Sequence, residues 1–256
     1  MFGTKHIIIL CICLLVGILF YIATGKFTLK MWMKLFLGIG IASEVTKICY
    51  YIIRNEAVYG GYLPKTDLPF HLCSIQIIFI IILNVIQNEK FKRIILSFML
   101  PSCLIGGLAA LLIPTDSAIN GGIIITIQYF TYHVMIISFA IYLYRCKEIT
   151  WTIKDFGSAL AFLAVMGFIA IYINSIAYDV SHYTVLPDGT KIVEMASRPN
   201  FMYVVDPPQK GLPFLNEDHG WAVYMIHYSM TAIFAIALCY IKQIINSIKG
   251  KVKKVN

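Results

Sequence analysis

The sequence predicts an all-α membrane protein: a bundle of seven transmembrane helices with the N-terminus outside, the C-terminus inside, and a long ordered outer loop between helices six and seven. Three observations predict this fold. Hydrophobic residues make up 59% of the 256 residues and charged residues only 13%, whereas soluble domains are about 45–50% apolar and about 25% charged. The apolar residues are concentrated in seven stretches, and Lys and Arg are distributed unevenly between those stretches.

Each apolar stretch has about the length that a helix needs to cross a bilayer. About 20 mostly apolar residues span the hydrocarbon layer, because a helix satisfies its own backbone hydrogen bonds. The first stretch is not interpreted as a signal peptide, since its apolar run is longer than the usual core of about 7–15 residues. We expect a single domain over residues 1–256, with helices at residues 6–24, 35–53, 69–86, 94–113, 122–144, 156–178 and 221–241.

The positions of the basic residues predict the orientation, because cytoplasmic loops carry an excess of Lys and Arg. With the C-terminus inside, the inner segments hold fourteen of the 21 basic residues and the outer segments six, while Lys47 lies within the second helix. The net charge of +8 is therefore interpreted as an insertion signal in a multi-pass protein of the cell membrane. The basic tail, residues 242–256, is expected to meet anionic lipid of the inner leaflet, and no nucleic acid is expected as a partner.

Residues 179–220 form the one long connection. The run "LPDG" is typical of a turn between β-branched segments, and the aromatic-rich "NFMYVVDPP" follows it. Long loops in compact domains are usually functional or disordered, and disordered loops are poor in aromatic residues. We therefore expect an ordered cap or hairpin on the outer face. The seven cysteines are odd in number and none lies in an outer loop, so no disulfide framework is expected.

Ionisable residues inside spans are rare and are candidates for function. Glu44 and Lys47 lie three residues apart in the second helix, so both side chains lie on one face and can form an ion pair. The pair is interpreted either as a salt bridge that fixes helix packing or as part of a proton or ion relay.

The third helix carries a cysteine near its predicted start. Proline suits the first helical position, so "LP" at 68–69 predicts that the helix begins there and that Cys73 lies in its first two turns. The helix dipole favours a thiolate at that place, whereas apolar burial opposes it. His71 would lie about 200° around the helix from Cys73, so a base must come from another helix. Gln76 shares the face of Cys73 and is a candidate donor to a carbonyl oxygen or an anion.

Two helices offer a histidine to the thiol. The fifth places Tyr129 and His133 on one stripe with Gln128 nearby, and the seventh places Tyr224 and His227 on another. At 1.5 Å per residue from the predicted outer ends, Cys73 lies about 6 to 8 Å deep, His227 about 9 Å and His133 about 15 to 18 Å. This estimate of depth favours His227 as the partner of Cys73.

Three stretches carry a resemblance to known proteins. The runs "LPFHLCSIQ", "IQYFTYH" and "NFMYVVDPPQKGLPFLNEDHGWAVYMI" resemble the bacterial YwaF-type integral membrane proteins, which in turn resemble eukaryotic transmembrane protein 164. The resemblance covers nearly the whole chain. Its most specific parts are the His-x-Cys stretch and the Asn-x-Met-Tyr stretch, which contains Asn200 and Tyr203.

The resemblance implies an activity. Transmembrane protein 164 is described as an acyltransferase of ether phospholipids that uses a cysteine and a histidine about sixty residues apart, and the matching positions here are Cys73 and His133. It implies that His133 takes the thiol proton and that Cys73 forms a thioester, which a lysophospholipid or water then attacks. Membrane lipids are the expected partners, and no cofactor or metal is expected. The expected binding or supporting residues are His71, Gln76, Gln128, Tyr129, Glu44, Lys47, Asn200, Tyr203, Tyr224 and His227.

Two other functions stay open at this point. One is a small-molecule transporter or receptor with a polar cavity lined by Glu44, Lys47, His133, Asn174 and His227, although the sequence shows no repeated halves and no pair of interrupted helices. The other is a structural membrane protein that binds partners through residues 179–220. In that case Cys73 would be replaceable by Ser or Ala.

Overall fold

A computed structural model of the chain describes residues 3–54, 63, 65–185, 191–197, 199–207, 215 and 220–255. Its regular elements follow one another in the order α1 (Thr4–Ala23), α2 (Leu29–Arg54), α3 (Ile75–Val85), α4 (Glu89–Leu112), α5 (Asp116–Asn120), α6 (Ile123–Arg145), α7 (Ile153–Ala177), β1 (Asp179–Val185), β2 (Lys191–Ser197), α8 (Trp221–Cys239) and α9 (Ile241–Val255). Two short 3-10 turns lie at Lys65–Asp67 and Phe201–Tyr203.

Six helices of the described chain, namely α1, α2, α4, α6, α7 and α8, are long and apolar enough to cross a membrane. They lie where six of the seven spans were predicted. Helix α3 is apolar but has only 11 residues, a length of about 16 Å at 1.5 Å per residue. The membrane-spanning character of the chain is therefore confirmed, whereas the number of seven spans and the orientation stay predictions.

The predicted start of the third helix is wrong. Residues 68–74 form successive turns, and α3 begins only at Ile75. Pro69 thus lies inside a turn and not at the first helical position. Cys73 lies just before the helix rather than within its first two turns. Its carbonyl is bound by a side chain of helix α6.

Helices α4 and α6 form the centre of the bundle and pack closely against each other. A Cβ atom added at Gly107 of α4 would lie 2.5 Å from Cγ1 of Ile137 on α6, so glycine is required for this close approach. Towards the opposite end of the bundle from Cys73, the fully buried rings of Trp32 and Phe36 of α2 pack against Phe139 of α6, with centroids 5.9 and 5.1 Å apart. The remaining long helices surround this core and expose large apolar side chains to lipid.

The long connection between α7 and α8 contains a hairpin. Strands β1 and β2 pair antiparallel, with Val185 opposite Lys191, and this two-stranded sheet is the only β-structure among the described residues. The predicted "LPDG" turn at residues 186–189 lies outside the described residues, as does most of 208–219. The basic tail begins as helix α9, which exposes Ile241, Ile245 and Ile248 beside its lysines.

The contact at Gly107 leads to a prediction about stability. Gly107→Ala should lower the free energy of unfolding by about 1–3 kcal/mol, the usual cost of overpacking, because the branched side chain of Ile137 has little freedom to move. Thermal unfolding in detergent micelles measures this cost. Gly167→Ala on α7 is the matched control, since a Cβ there meets nothing within 4 Å. Equal melting temperatures for the two variants would contradict the close packing of α4 on α6.

Candidate functional site

Hydrogen bonds to the Cys73 carbonyl fix the turn that precedes α3. The hydroxyl of Tyr132 on α6 donates to Cys73 O at 2.7 Å, and the Gln76 N–H also bonds this oxygen at 3.3 Å. In a continuous α-helix the Ile77 N–H would be the donor, but it bonds Ser74 O at 3.1 Å instead. The Tyr132 hydroxyl therefore fixes Cys73 at the entrance of α3.

The surroundings of the thiol combine opposing effects. The backbone N–H groups of Cys73 and Ser74 lie within hydrogen-bonding reach of the sulfur, and Lys47 and Glu44 are close enough to interact with its charge. The N-terminus of α3 follows directly and contributes the positive end of the helix dipole. Burial is the largest of these effects and, together with the Glu44 carboxylate, it raises the pKa of the Cys73 thiol, while the two backbone N–H groups and the Lys47 ammonium partly offset that rise.

Gln76 fixes the turn to helix α4. The side chain is fully buried, and its amide nitrogen donates to Leu72 O at 2.8 Å and to Ser102 Oγ at 3.1 Å. Its oxygen accepts from Cys103 Sγ at 3.3 Å. Because both N–H groups are used within the protein, the role of Gln76 is to position the turn.

The hydrogen bond at Nδ1 of His133 leaves its other ring nitrogen, Nε2, as a hydrogen-bond acceptor. Its Nδ1 lies 2.7 Å from Tyr129 O, and a carbonyl oxygen only accepts hydrogen bonds, so Nδ1 carries the proton and the lone pair lies on Nε2. The residue is 3% exposed. Within the described part of the chain, its Nε2 has no hydrogen-bond partner. A buried polar atom without a partner is unusual and calls for an explanation.

Tyr132 connects the histidine to the cysteine. Its ring centroid lies 5.7 Å from that of His133, while its hydroxyl holds Cys73 O. The Tyr129 ring also packs against the imidazole, with centroids 4.1 Å apart, and its hydroxyl donates to Ala110 O. Among the described residues no hydrogen bond joins His133 to Cys73 directly, so their pairing stays a prediction.

Sequence reasoning missed Tyr132. A signal was present, because a tyrosine hydroxyl inside a span needs a partner, and this one adjoins a candidate base. The sequence alone, however, does not show that the partner is the Cys73 carbonyl on another helix.

The predicted ion pair is confirmed, with Lys47 Nζ 2.8 Å from Glu44 Oε1. The same ammonium donates to Asp67 O at 2.9 Å. Burial raises the pKa of the Asp67 carboxyl, and the nearby Lys47 charge partly offsets that rise. The pair thus ties the C-terminal half of α2 to the segment that leads into the Cys73 turn.

Residues 200–206, a segment of the connection between α7 and α8, are held against this region by hydrogen bonds. The side chain of Asn174, buried on α7, bonds the backbone of Phe201 twice, donating to its carbonyl at 3.2 Å and accepting from its N–H at 2.8 Å. Asn200 folds the segment on itself by accepting from the Val205 N–H at 3.1 Å and donating to Asp206 O at 2.7 Å. Asn200 therefore has a structural role here.

Helix α8 holds the same segment with two tyrosines. The Tyr224 hydroxyl donates to Tyr203 O, and the Tyr228 hydroxyl donates to Met202 O at 2.6 Å. Met202 and Tyr203 have φ angles of 56° and 55°, in the left-handed region that non-glycine residues seldom adopt. These hydrogen bonds therefore keep two residues in an unfavourable backbone conformation.

Segment 200–206 covers the Cys73 turn. The rings of Phe201 and Tyr203 lie 5.1 and 6.2 Å from the imidazole of His71, whose Nε2 donates to Thr66 O at 3.0 Å. Burial and the nearby Cys73 raise the pKa of Tyr203 to about 12. The structure thus brings His71 and Tyr203 together at the cysteine.

His227 lies elsewhere on α8. It is half-buried, and its backbone carbonyl accepts from the Thr231 hydroxyl at 2.8 Å. In the described structure no contact links its imidazole to the Cys73 turn. The depth estimate that favoured His227 treated every span as a straight helix, and it gains no support from these contacts.

A groove of about 340 Å³ opens between α2 and α6. Gln128 donates to Ser43 Oγ across it at 2.6 Å, and the flanking Ile124 and Ile127 are each 58% exposed, so the groove faces the lipid side of the bundle. Tyr132 lies at its inner wall and also holds the Cys73 carbonyl. Side chains lining the groove include Ala42, Ser43, Thr46, Gln128, Thr131 and Tyr132.

The described residues contain no group of three or more His, Cys, Asp or Glu side chains that could hold a metal ion.

The Asn174 contacts generate a prediction. Asn174→Leu removes both bonds to the Phe201 backbone and leaves a buried N–H and a buried carbonyl without partners, at a cost of about 1–3 kcal/mol for each group. We expect a lower melting temperature in detergent and faster hydrogen exchange at residues 200–206. Ser175→Ala is the matched control, because the Ser175 hydroxyl bonds only its own helix. Unchanged exchange in Asn174→Leu would show that Asn174 does not hold the segment.

Comparison with known proteins gives one match. The model of the TMEM164 family matches residues 1–240, and no curated protein and no solved structure matches the chain. The match confirms the resemblance to transmembrane protein 164, and together with the six long apolar helices it identifies a multi-pass membrane protein. The chain belongs to the TMEM164 family.

Proposed function

We propose that this chain, as a YwaF-type member of its family, is an intramembrane cysteine-dependent lipid acyltransferase, or a thiol hydrolase where water replaces the lipid acceptor. Cys73 is the nucleophile and His133 the general base. The observation that carries the proposal is the buried Nε2 of His133. This nitrogen carries a lone pair that has no partner among the described residues. The neighbouring Tyr132 ring lies 5.7 Å from the imidazole, and its hydroxyl bonds the Cys73 carbonyl.

In the first half-reaction, His133 Nε2 accepts the Sγ proton of Cys73, and the thiolate attacks the ester carbonyl carbon of a phospholipid. The backbone N–H groups of Cys73 and Ser74 donate to the oxyanion that forms, as preorganised donors do in acyl-transfer enzymes. The imidazolium then returns its proton to the leaving oxygen. A lysophospholipid departs, and the acyl group stays on Cys73 as a thioester.

In the second half-reaction, His133 takes the proton of a lysophospholipid hydroxyl, or of water, and the resulting oxygen attacks the thioester carbonyl. The C–S bond breaks, the imidazolium protonates the departing thiolate, and the enzyme is restored. This sequence requires Sγ and Nε2 to approach within hydrogen-bonding distance when substrate binds. Such tightening of catalytic contacts in the substrate complex is common.

The groove between α2 and α6 supplies a route for the acyl chain. It opens towards lipid and ends at Tyr132, which contacts both His133 and the Cys73 carbonyl. A chain that enters sideways brings its ester to the thiol without leaving the membrane.

The orientation and the basic tail belong to the same proposal. The Lys and Arg bias supports an outer N-terminus, so the Cys73 end and the cap of residues 179–220 would serve the outer leaflet of the cell membrane. Residues 242–256 would then rest on anionic lipid of the inner leaflet, because helix α9 pairs exposed isoleucines with lysines.

A transfer assay tests the chemistry. Nanodiscs containing the protein, a phospholipid with an isotope-labelled acyl chain and an unlabelled lysophospholipid should yield labelled diacyl product. Acid-quenched protein should carry the acyl mass on Cys73. Cys73→Ala should abolish both signals, and His133→Gln should slow transfer by about 10²–10⁴-fold, the usual contribution of a general base. Cys49→Ala, at an exposed cysteine of α2, is the control. Undiminished transfer in Cys73→Ala would refute the proposal.

The groove leads to a separate prediction. Ala42→Phe fills it and should lower transfer from the phospholipid at least about tenfold, while a small thiol reagent still alkylates Cys73 at the wild-type rate. Val45→Phe places the same bulk on an exposed neighbour that does not line the groove, and should leave transfer unchanged. Equal transfer by both variants would exclude this route of entry.

A further inference from the structure

A second cavity lies at the other end of α3, away from Cys73. Its volume is about 670 Å³, and it is enclosed by the first turns of α2 and α4, the last turn of α3 and the connection between α6 and α7. Since α3 has 11 residues, the cavity lies about 16 Å from the Cys73 turn. Its lining shares no residue with the candidate site described above.

The floor of this cavity is apolar. Met33, Leu83, Leu96 and Trp151 contribute to it, and each is at most 9% exposed. The Trp151 ring is fixed by a hydrogen bond from its Nε1 to Leu143 O at 3.0 Å. A surface of this kind favours hydrocarbon over water.

The rim of the cavity is basic, with Lys30, Lys90, Lys92 and Arg93 around it. Lys92 pairs with the neighbouring Glu89 at 2.7 Å. In the described part of the chain, Lys30 and Lys90 have no ion-pair partner. Insertion into the membrane explains an excess of lysines at this end of the helices, but it does not explain why they surround a preformed apolar cavity.

Part of the rim is held rigidly. Arg93 makes a forked contact with Asp155 of α7, with Nε–Oδ1 and Nη2–Oδ2 distances of 2.6 and 2.8 Å, and also donates to Thr150 O at 2.6 Å. Asp155 in turn accepts from the N–H and the hydroxyl of Thr152. Because Arg93 is anchored in this way, the wall between α4 and α7 keeps its shape.

Acidic groups on the wall make no ion pair with Lys30 or Lys90 among the described residues. Glu148 faces the cavity, and its Oε1 accepts from the Leu29 N–H at 2.9 Å and from the Tyr142 hydroxyl at 3.4 Å. The four basic residues that line the cavity outnumber the two acidic ones, Glu89 and Glu148. The rim is therefore positive and suits a bound anion.

We propose that this cavity binds a phosphate-bearing amphiphile, with the phosphate between Lys30 and Lys90 and the apolar part on the Trp151 side of the floor. An anionic phospholipid of the adjacent leaflet and a soluble phosphate ester share this headgroup chemistry. The phospholipid is the better fit, because Phe91 and Ile94 on α4 and Ile153 on α7 expose apolar side chains beside the rim and mark where hydrocarbon begins. The proposal does not depend on the acyltransferase activity.

Native mass spectrometry of the full-length protein in detergent tests the site. The probes are phosphatidylglycerol, phosphatidylcholine and glycerol 3-phosphate. We expect one equivalent of phosphatidylglycerol to be retained, with phosphatidylcholine bound less tightly. Retention should fall at least about tenfold in the double variant Lys30→Gln with Lys90→Gln. The matched control, Lys26→Gln with Lys154→Gln, removes two exposed lysines at the same end of the bundle that do not line the cavity.

Equal loss of phosphatidylglycerol from both double variants would show general attraction to a basic surface and would overturn the proposal, as would unchanged retention in the Lys30 and Lys90 variant. Binding of glycerol 3-phosphate as tight as that of the lipid, lost in the same variant, would support the phosphate site and identify a soluble ester as its ligand. Melting temperatures of the double variants show whether each has folded.

Discussion

The hydrogen bond from the Tyr132 hydroxyl to Cys73 O is the interaction on which the rest of the site depends. Inside a bilayer every backbone polar group needs a partner within the protein, and non-helical backbone is tolerated only where protein covers it. Tyr132 supplies that partner from a neighbouring helix. The chain can therefore form turns over residues 68–74. The thiol lies at the entrance of α3, where the backbone N–H groups of Cys73 and Ser74 are within reach of the sulfur.

Several contacts converge on this half-buried turn and stabilise its non-helical form. Gln76 ties it to α4, and Lys47 ties the preceding segment to α2. Asn174 and two tyrosines of α8 press the strained segment 200–206 onto its outer side. Strained backbone persists where the surrounding structure over-determines it, and such places are often functional. Contacts from three helices, α2, α4 and α6, thus support the turn and the segment that leads into it, and residues 200–206 cover it.

The sequence predicted the transmembrane helices well, because bilayer thickness sets the length of a spanning helix. A local run of apolar residues is enough to recognise that length. The Glu44–Lys47 pair was predictable for the same reason, since three residues place both side chains on one face of a helix. The start of the third helix was not predictable. Pro69 is a local signal for a helix start. The turn that forms there instead is bound by the hydroxyl of Tyr132, which lies 63 residues further along the chain. The roles of Tyr132 and of the residues that hold segment 200–206 also depend on contacts between distant parts of the chain. Such contacts cannot be predicted from a single sequence.

The most direct test of this account is the rate at which a soluble maleimide alkylates each of the seven cysteines in nanodiscs, read by mass spectrometry at short times. The account predicts that Cys73 reacts at least about tenfold faster than Cys146 and Cys239, which are also half-buried. Tyr132→Phe and His133→Gln should each lower the rate at Cys73 to that of the other two cysteines. Similar slow rates at all three cysteines, unchanged in both variants, would contradict the claim that the turn presents an activated thiol.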